Sequence, residues 1–522
     1  MSSRPLQVSR MLRRGNRFWI IYRPADNVTA ARRSRTASAC DPAGAWPASM
    51  TAPAKRRWLM AGVLAANAVG WLIPSDVVEM VAREQVVVLG RYSRSHFLWL
   101  LFVAAASAVG LFVGLAANAR AARLRAFRLA TVLAGAFVAS CAADVALRFI
   151  TPVTYKIDRL AFRRPEYCHF HITYEDVPPS ARSYPVARPG YGTVECELTM
   201  DANGFRNATD LTEADVVVLG DSFAEGSRVT DDEAWPFRVA RGTGRTVANL
   251  GMSGYSPQHC RAALRDFGLT LRPKWVLLLL YEGNDFRETR IREGPSIRLK
   301  NILRTSPILG GIERLLVQSA ASVCIGPPPA GMDLLSWMPV AAGPPDATRY
   351  YAFAPKQLID LYVAPADFAG SPQWRIAAQI LAALRDDCRA AGARLAVIYA
   401  PVKAHVVFPL AADGLPAEKV RGFVALRARR PLPPPDEFVR MLLERLDAKE
   451  SVVRDWCAAE SLPFLTLTPA LRAAAAEGRQ TYYTYDQHWS PVGHAVAAEA
   501  IIEFWLSSVE PTGRAARRTK TE

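Results

Sequence analysis

Paired metal-ligand residues are what this sequence lacks: among 522 residues with eight cysteines and seven histidines there is no C-x-x-C pair and no H-E-x-x-H. Structural zinc needs ligands at such intervals, and "CHFH" at 168–171 reads as an alternating strand, so neither metal nor cofactor is expected. An aromatic-interleaved basic stripe is also missing. The net charge is +16, but residues 1–57 hold twelve Lys and Arg against two Asp, which leaves only +6 for the other 465 residues. The basicity is mostly a tail, with a second short run, "GRAARRTKTE", at 513–522, and no nucleic-acid partner is expected. No internal repeat is evident.

Long apolar runs, by contrast, are present before residue 150: "WLMAGVLAANAVGWLI" (58–73), "HFLWLLFVAAASAVGLFVGLAANA" (96–119) and "LATVLAGAFVASCAADVALRFI" (129–150). A spanning helix takes about 20 apolar residues; the second and third runs reach this, while the first is short and carries Asn67. Lys55, Arg56 and Arg57 precede the first run, and Arg120, Arg123, Arg125 and Arg128 fill the gap between the other two. If all three span, both clusters fall on the cytoplasmic side, which gives an internal N-terminus and an external remainder. The expectation is a multi-pass protein of the inner (cytoplasmic) membrane whose later part faces the periplasm or cell exterior. Alternatives are a cleaved first run and a natural start at Met50 rather than Met1.

Beyond the runs, 151–210 reads as a lead-in of strands and turns, and then buried strands alternate with helices, the mark of an α/β domain with a parallel sheet. Strands are predicted at "DVVVLG" (215–220), "RTVANLG" (245–251), "WVLLLLY" (275–281), "RLAVIYAP" (394–401) and "PFLTL" (463–467). Helices are predicted at 257–269 behind Ser256 and Pro257, at 373–392 ending on Gly392, near 437–460, and from about 491 to 507. The resulting division is a basic tail at 1–57, predicted to be disordered, three membrane helices within 58–150, the lead-in, an α/β domain at 211–508 with an insertion at about 290–370, and a basic tail at 509–522. Six cysteines follow the apolar runs; export permits disulfides, and Cys168 with Cys196 is the preferred pair.

Chemistry concentrates at strand ends. In "VVVLGDSFAEG", Ser222 follows Gly220 at a strand-to-helix turn, where a hydroxyl is exposed and backbone N–H groups face a developing oxyanion; the bland alternative is that Asp221 or Ser222 only caps the helix. "NLGMSGYS" puts Gly254 after the second strand, and "YEGNDF" puts Gly283 and Asn284 after the third. Carboxyl ends of parallel strands line one crevice, so Ser222, Gly254 and Asn284 converge there. Near the far end, "TYDQHWSPVGH" offers Asp486, His488 and His494. Ser490 and Pro491 start a helix with His494 on its first turn, so His488 ranks above His494 as a base.

"GDSF" (220–223), Gly254, "GND" (283–285) and "DQH" (486–488) stand in the order of the four blocks of the SGNH or GDSL hydrolase superfamily, and "DANGFRNATD" resembles the lead-in of its bacterial members. The resemblance covers about 200–508. It implies a three-layer α/β/α, flavodoxin-like fold in which Ser222 attacks an ester carbonyl. Ser222 N–H, Gly254 N–H and the Asn284 side chain would form the oxyanion hole, with His488 as base and Asp486 as its orienting partner. The Asp-to-His spacing is one shorter than usual, and "D-x-H-W" and "APVKAHVVFP" (400–409) look like the alginate O-acetylation branch, although there the D-x-H precedes the serine. The reading that follows is a membrane-anchored esterase or O-acyltransferase acting on acylated, in the first place acetylated, extracytoplasmic glycans or small esters, alongside cell-envelope polysaccharide machinery. The alternative is a catalytically weak module of this fold that binds or scaffolds polysaccharide modification.

Overall fold

The computed structural model describes residues 11–14, 17–20, 52–73, 86–88, 92–116, 118–150, 156–157, 162–177, 190–289, 306, 308–309, 337–425, 428 and 431–509. The chain divides into two units, Met1–Leu59 and Met60–Glu522. In the first, Met11–Arg14 pairs antiparallel with Arg17–Ile20, and most of the basic tail lies outside the described residues, as does the tail from 510.

Three long helices follow: α1 (Ala52–Leu72), α2 (Arg94–Gly114) and α3 (Ala119–Ile150). Two segments, His96–Gly114 and Ala119–Leu147, are long and apolar enough to cross a membrane. The first expected span is not, because Lys55, Arg56 and Arg57 lie inside α1 rather than ahead of it. From Trp58 to Leu72 the helix rises only about 22 Å, short of a ~30 Å hydrocarbon core. Its Asn67 amide donates to Val63 O and to Ser107 Oγ of α2, each at 2.9 Å. Phe102, Phe127, Phe137 and Val138 on α2 and α3 stand more than three-fifths exposed, so these helices are not the core of anything in the chain itself.

The lead-in forms an antiparallel hairpin, β1 (His169–Glu175) with β2 (Thr193–Thr199). Its register puts Cys196 opposite Ile172, while Met200 N bonds Cys168 O, so the two thiols are four pairs apart along the ladder. Both are free, and the preferred disulfide is not formed.

The α/β part runs β3 (Val216–Leu219), α4 (Ser222–Glu225), α5 (Trp235–Thr243), β4 (Val247–Asn249), α6 (Pro257–Ala263) and β5 (Trp275–Tyr281). A hairpin of β6 (Met338–Ala342) and β7 (Arg349–Phe353) leads to α7 (Pro355–Leu361), α8 (Pro372–Ala390), β8 (Arg394–Ala400) and α9 (Lys403–Ala411). Last come α10 (Pro435–Glu444), α11 (Ala448–Ala459), β9 (Phe464–Thr466), α12 (Thr468–Ala476) and α13 (Pro491–Phe504). The single helix expected over 437–460 is two, because a turn at Arg445–Asp447 swings Asp447 onto the His405 ring, with Oδ1 at 2.8 Å from Nε2.

Five strands form one parallel sheet in the order β4-β3-β5-β8-β9. Counted along the chain that is 2-1-3-4-5, the flavodoxin-like order. Side chains alternate across it: Val216 and Val218 join one buried layer with Trp235 of α5 and Ile501 of α13, while Val217 and Leu219 join the other with Trp374 of α8 and Val453 of α11. With both faces covered, β5 reads as an unbroken apolar run, all seven residues buried. This is the three-layer α/β/α arrangement. Its order reverses beside β3, where a crevice opens at the carboxyl ends of the strands.

Candidate active site

β3 delivers its chain into that crevice through Gly220, at φ +152°; a Cβ there would meet Ala224 Cβ at 2.7 Å and Leu279 O at 3.0 Å. The turn thus has room for glycine only. Asp221 caps α4, its carboxylate accepting from Phe223 N at 2.9 Å, and Ser222 is the first residue of the helix. Capping and chemistry coexist here: Asp221 does the first, which leaves the Ser222 hydroxyl free to face the opposite loop. Burial pushes the Asp221 carboxyl up to about 7 against the pull of the Phe223 N–H and His488.

On that loop His488 Nε2 lies 2.8 Å from Ser222 Oγ, and His488 Nδ1 lies 2.5 Å from Asp486 Oδ1. The same Asp486 oxygen accepts the His488 backbone N–H at 2.8 Å. The two-residue spacing is therefore an Asx turn, in which the side chain bonds the backbone two residues on. Burial would raise the Asp486 pKa, but His488 and the Arg228 guanidinium, 3.6 Å away, hold it well below the usual carboxylate range. Burial would lower His488, but Asp486 and Asp221 outweigh it and raise its pKa. Phe223 flanks the His488 ring at 5.1 Å and stacks on Tyr281 at 4.2 Å. An imidazole so held can accept a hydroxyl proton while the carboxylate stabilises the imidazolium formed.

The oxyanion candidates sit on neighbouring loops. Asn284 lines a cavity of about 840 Å3 together with His488, Asp486 and Tyr281. Gly254, at φ +86° after β4, does not line that cavity. Its loop is tied to the serine helix, because Ser253 N donates to Glu225 Oε2 at 3.1 Å and Ser253 Oγ bonds the same oxygen. Arg164 Nε reaches Glu225 Oε1 at 2.5 Å, and fully buried Arg206 donates to the carbonyls of Glu225, Gly226, Val229 and Glu197. Asn207 bridges to Asn249 O at 3.1 Å. The "NGFRN" lead-in is thus scaffolding for the helix behind Ser222.

A family model described as the GDSL-like lipase/acylhydrolase family matches residues 218–496, just over half of the chain. The chain belongs to the GDSL-like lipase/acylhydrolase family. It is accordingly an enzyme of the SGNH type that hydrolyses esters. Among solved structures, a G-D-S-L family lipolytic protein from Desulfitobacterium hafniense is 11% identical over 55% of this chain and 98% of its own, with a TM-score of 0.27. Phospholipase A1 from Streptomyces albidoflavus is 12% identical over 56% and 99%, with a TM-score of 0.29. A catalytic mutant of Axe2, an acetylxylan esterase from Geobacillus stearothermophilus, is 11% identical over 56% and 95%, with a TM-score of 0.26. The activities of these proteins are their own, and the family membership of this chain rests on the sequence match over 218–496. No curated protein matches the chain in sequence.

Two other histidines of this GDSL hydrolase are accounted for without chemistry. His494 is buried, receives Trp235 N at 3.4 Å on Nδ1, and has its pKa lowered well below the ordinary value by burial. His405, Asp447 and Glu450 bring possible metal-ligand atoms within 4.8 Å of one another. Both His405 nitrogens already face carboxylates, Glu282 Oε2 at 2.9 Å and Asp447 Oδ1 at 2.8 Å, which suits an imidazolium and not a metal-binding imidazole. Glu282 also accepts Val402 N at 3.0 Å, so the pair anchors the "GND" loop to the start of α9.

A pH signature follows. Burial lowers the His405 pKa, but Glu282 and Asp447 prevail and raise it to about 9. A group raised in the folded state contributes stability that is complete below its unfolded value, 6.5, and is lost as pH climbs through about 9. Lys403, lowered by burial to about 8 from 10.5, acts with the opposite sign above pH 8. The comparison is therefore with His405→Gln: in urea melts, the wild-type advantage is expected to shrink steadily from pH 6.5 to pH 9. An advantage constant across that range contradicts an imidazolium.

Sequence reasoning passed over Asp176 and Lys403, which hold the loop carrying Asp486 and His488. Lys403 stood inside "APVKAHVVFP" with no role, and Asp176 was one acid among several in the lead-in. Part of the expected insertion is described: Trp337, Ala354, Lys356, Gln357 and Asp360 line the cavity, and Ala352 N donates to Thr484 O at 2.8 Å. Residues 290–305 and 310–336 lie outside the described residues.

Proposed function

We propose that this chain is a membrane-anchored serine esterase or O-acyltransferase that removes or transfers acyl groups, acetyl in the first place, on extracytoplasmic glycans. The observation that carries the reading is the hydrogen-bonded series Ser222–His488–Asp486. His488 takes the Ser222 proton as Oγ attacks the ester carbonyl, and the oxyanion is met by Ser222 N–H, Gly254 N–H and the Asn284 amide. The proton then passes to the departing alcohol. Water or a sugar hydroxyl, deprotonated by His488, releases the acyl group from the serine.

Supporting a glycan over a lipid chain, the cavity mixes the rings of Trp337, Tyr174 and Tyr485 with Glu175, Lys356, Gln357, Asp360 and Gln487. Aromatic faces suit the C–H faces of sugar rings, and the polar groups suit their hydroxyls, whereas an acyl chain calls for a predominantly apolar tunnel. Supporting the anchor, α2 and α3 carry exposed apolar surface with Arg120, Arg123, Arg125 and Arg128 at their junction, the side that the charge bias assigns to the cytoplasm.

Product analysis tests this. The detergent-solubilised chain, given an O-acetylated polysaccharide, is expected to release acetate, or to yield an acetylated sugar when an acceptor oligosaccharide is added. Release of fatty acid from a phospholipid with no action on the polysaccharide overturns the glycan reading. Failure of a fluorophosphonate to label the wild type favours the catalytically weak binding module instead.

A further inference from the structure

The loop that carries Asp486 and His488 is held from both sides by a buried pair of opposite charges. Asp176, just after β1, is fully buried, and its carboxylate accepts four backbone N–H groups: Thr484 at 2.6 Å, Tyr485 at 3.0 Å, Asp486 at 2.8 Å and Tyr191 at 3.0 Å. Lys403, at the start of α9 and equally buried, donates its ammonium protons to the carbonyls of Tyr483 at 3.1 Å, Thr484 at 2.6 Å and Asp486 at 3.0 Å. An ammonium has three protons to give and a carboxylate about four lone-pair sites, so each group spends its whole capacity on this backbone or its neighbour. Neither touches the other's charged atoms within ion-pair distance among the described residues. Two charges taken out of water are costly, and they are retained where every hydrogen-bonding site is met.

The contacts divide along the loop in a telling way. The carboxylate fixes the N–H groups of 484–486, and the ammonium fixes the carbonyls of 483, 484 and 486, so consecutive peptide planes are pinned at both ends. Tyr483 N, which donates to His488 O at 3.2 Å, closes the loop on itself. With 483–486 fixed, the Asx turn from Asp486 sets the height and tilt of the His488 ring. The ring must meet Ser222 Oγ from across the crevice, where an error of about 1 Å costs about 100-fold in rate.

We propose that Asp176 and Lys403 are positioning residues of the reaction: as a carboxylate and an ammonium cradling one loop, they set where His488 stands relative to Ser222. The proposal rests on the serine-esterase reading above. Lys403, held down at about 8 by burial although Asp176 and Asp486 favour its charge, retains its ammonium through neutral pH. The cradle also explains why a hairpin outside the matched family region belongs to the working site: Asp176 lies more than forty residues ahead of it.

The test uses the full chain in detergent with p-nitrophenyl acetate, comparing wild type, Asp176→Asn, Lys403→Met and Ser222→Ala. Active sites are counted by fluorophosphonate titration run to completion. Per titrated site, kcat is expected to fall about 100-fold in Asp176→Asn and in Lys403→Met, with KM changed less than about twofold. The acid limb of kcat/KM is expected to move to lower pH in both, because a His488 that has slipped from Asp486 loses what raises its pKa. A merely structural role lowers the number of titrated sites and leaves kcat per site and the acid limb where they were; that result overturns the proposal. If Lys403→Met does not fold, Asp176→Asn decides alone, since the amide keeps the shape and one acceptor oxygen. Turnover lost in Ser222→Ala but kept in the cradle variants overturns the cradle only, whereas turnover surviving in Ser222→Ala overturns the site reading and the cradle with it.

Discussion

Ser222→Ala is expected to reduce ester turnover by more than about 10^4-fold, to the level that binding and oxyanion donors alone can sustain. The size of the loss follows from what the hydroxyl does. In the proposed reaction its oxygen is the atom that bonds the acyl carbon, and among the described residues no other hydroxyl is hydrogen-bonded to His488 Nε2 to replace it. Water could be recruited by the same imidazole, but it would have to be localised without the covalent tether, and the acyl-enzyme route would be closed. KM is expected to change little, since the methyl fits where the hydroxymethyl was. The measurement is initial-rate hydrolysis of p-nitrophenyl acetate by wild type and variant purified side by side, with fluorophosphonate labelling as the second readout. Turnover within tenfold of wild type sinks the assignment of Ser222.

Asp486→Asn is the second large effect, about 10^3- to 10^4-fold in kcat. The amide can still lie against His488 Nδ1, but in presenting N–H it favours the tautomer in which Nε2 carries the proton, and that nitrogen can no longer take one from serine. Charge is lost as well: Asp486 is the main group raising the His488 pKa, so the acid limb of the residual activity is expected at lower pH than in wild type. The sign is fixed by linkage, because removing a neighbouring anion disfavours the protonated ring and lets it deprotonate earlier. A variant that keeps wild-type kcat, or whose acid limb moves to higher pH, contradicts the assigned roles. Arg228, 3.6 Å from the other Asp486 oxygen, does not compensate, since a cation near a neutral ring only lowers its pKa further.

The three residues of the proposed triad were legible because each sits in a short local pattern. Gly220 before Ser222 announces a turn that an L side chain cannot make, and Asp486 and His488 are two apart in a chain with few histidines. Strands β3, β5 and β8 were equally plain, being apolar runs bounded by turn residues, and their buried order supplied the crevice. What escaped was set by partners far away in the chain. Asp176 acts on backbone about 310 residues later, and Lys403 on backbone about 80 residues later, so nothing around either announces a role. The break between α10 and α11 has the same origin, since 437–460 has helical periodicity and only the His405–Asp447 contact shows why it turns. The Cys168–Cys196 pairing failed on strand register, which loop length does not encode. The first apolar run is not among the two segments long and apolar enough to cross a membrane, because the helix that holds it also takes in three basic residues.

Ser222 and His488 are 266 positions apart, and α13, which follows His488 immediately, packs beside α5 only after nearly the whole chain exists. While the chain is being made, Ser222 therefore emerges long before His488. The hairpin bearing Asp176 waits longer still for the loop it will hold. A chain broken off anywhere between β5 and residue 486 carries Ser222 without the His488 imidazole that meets it in the finished fold.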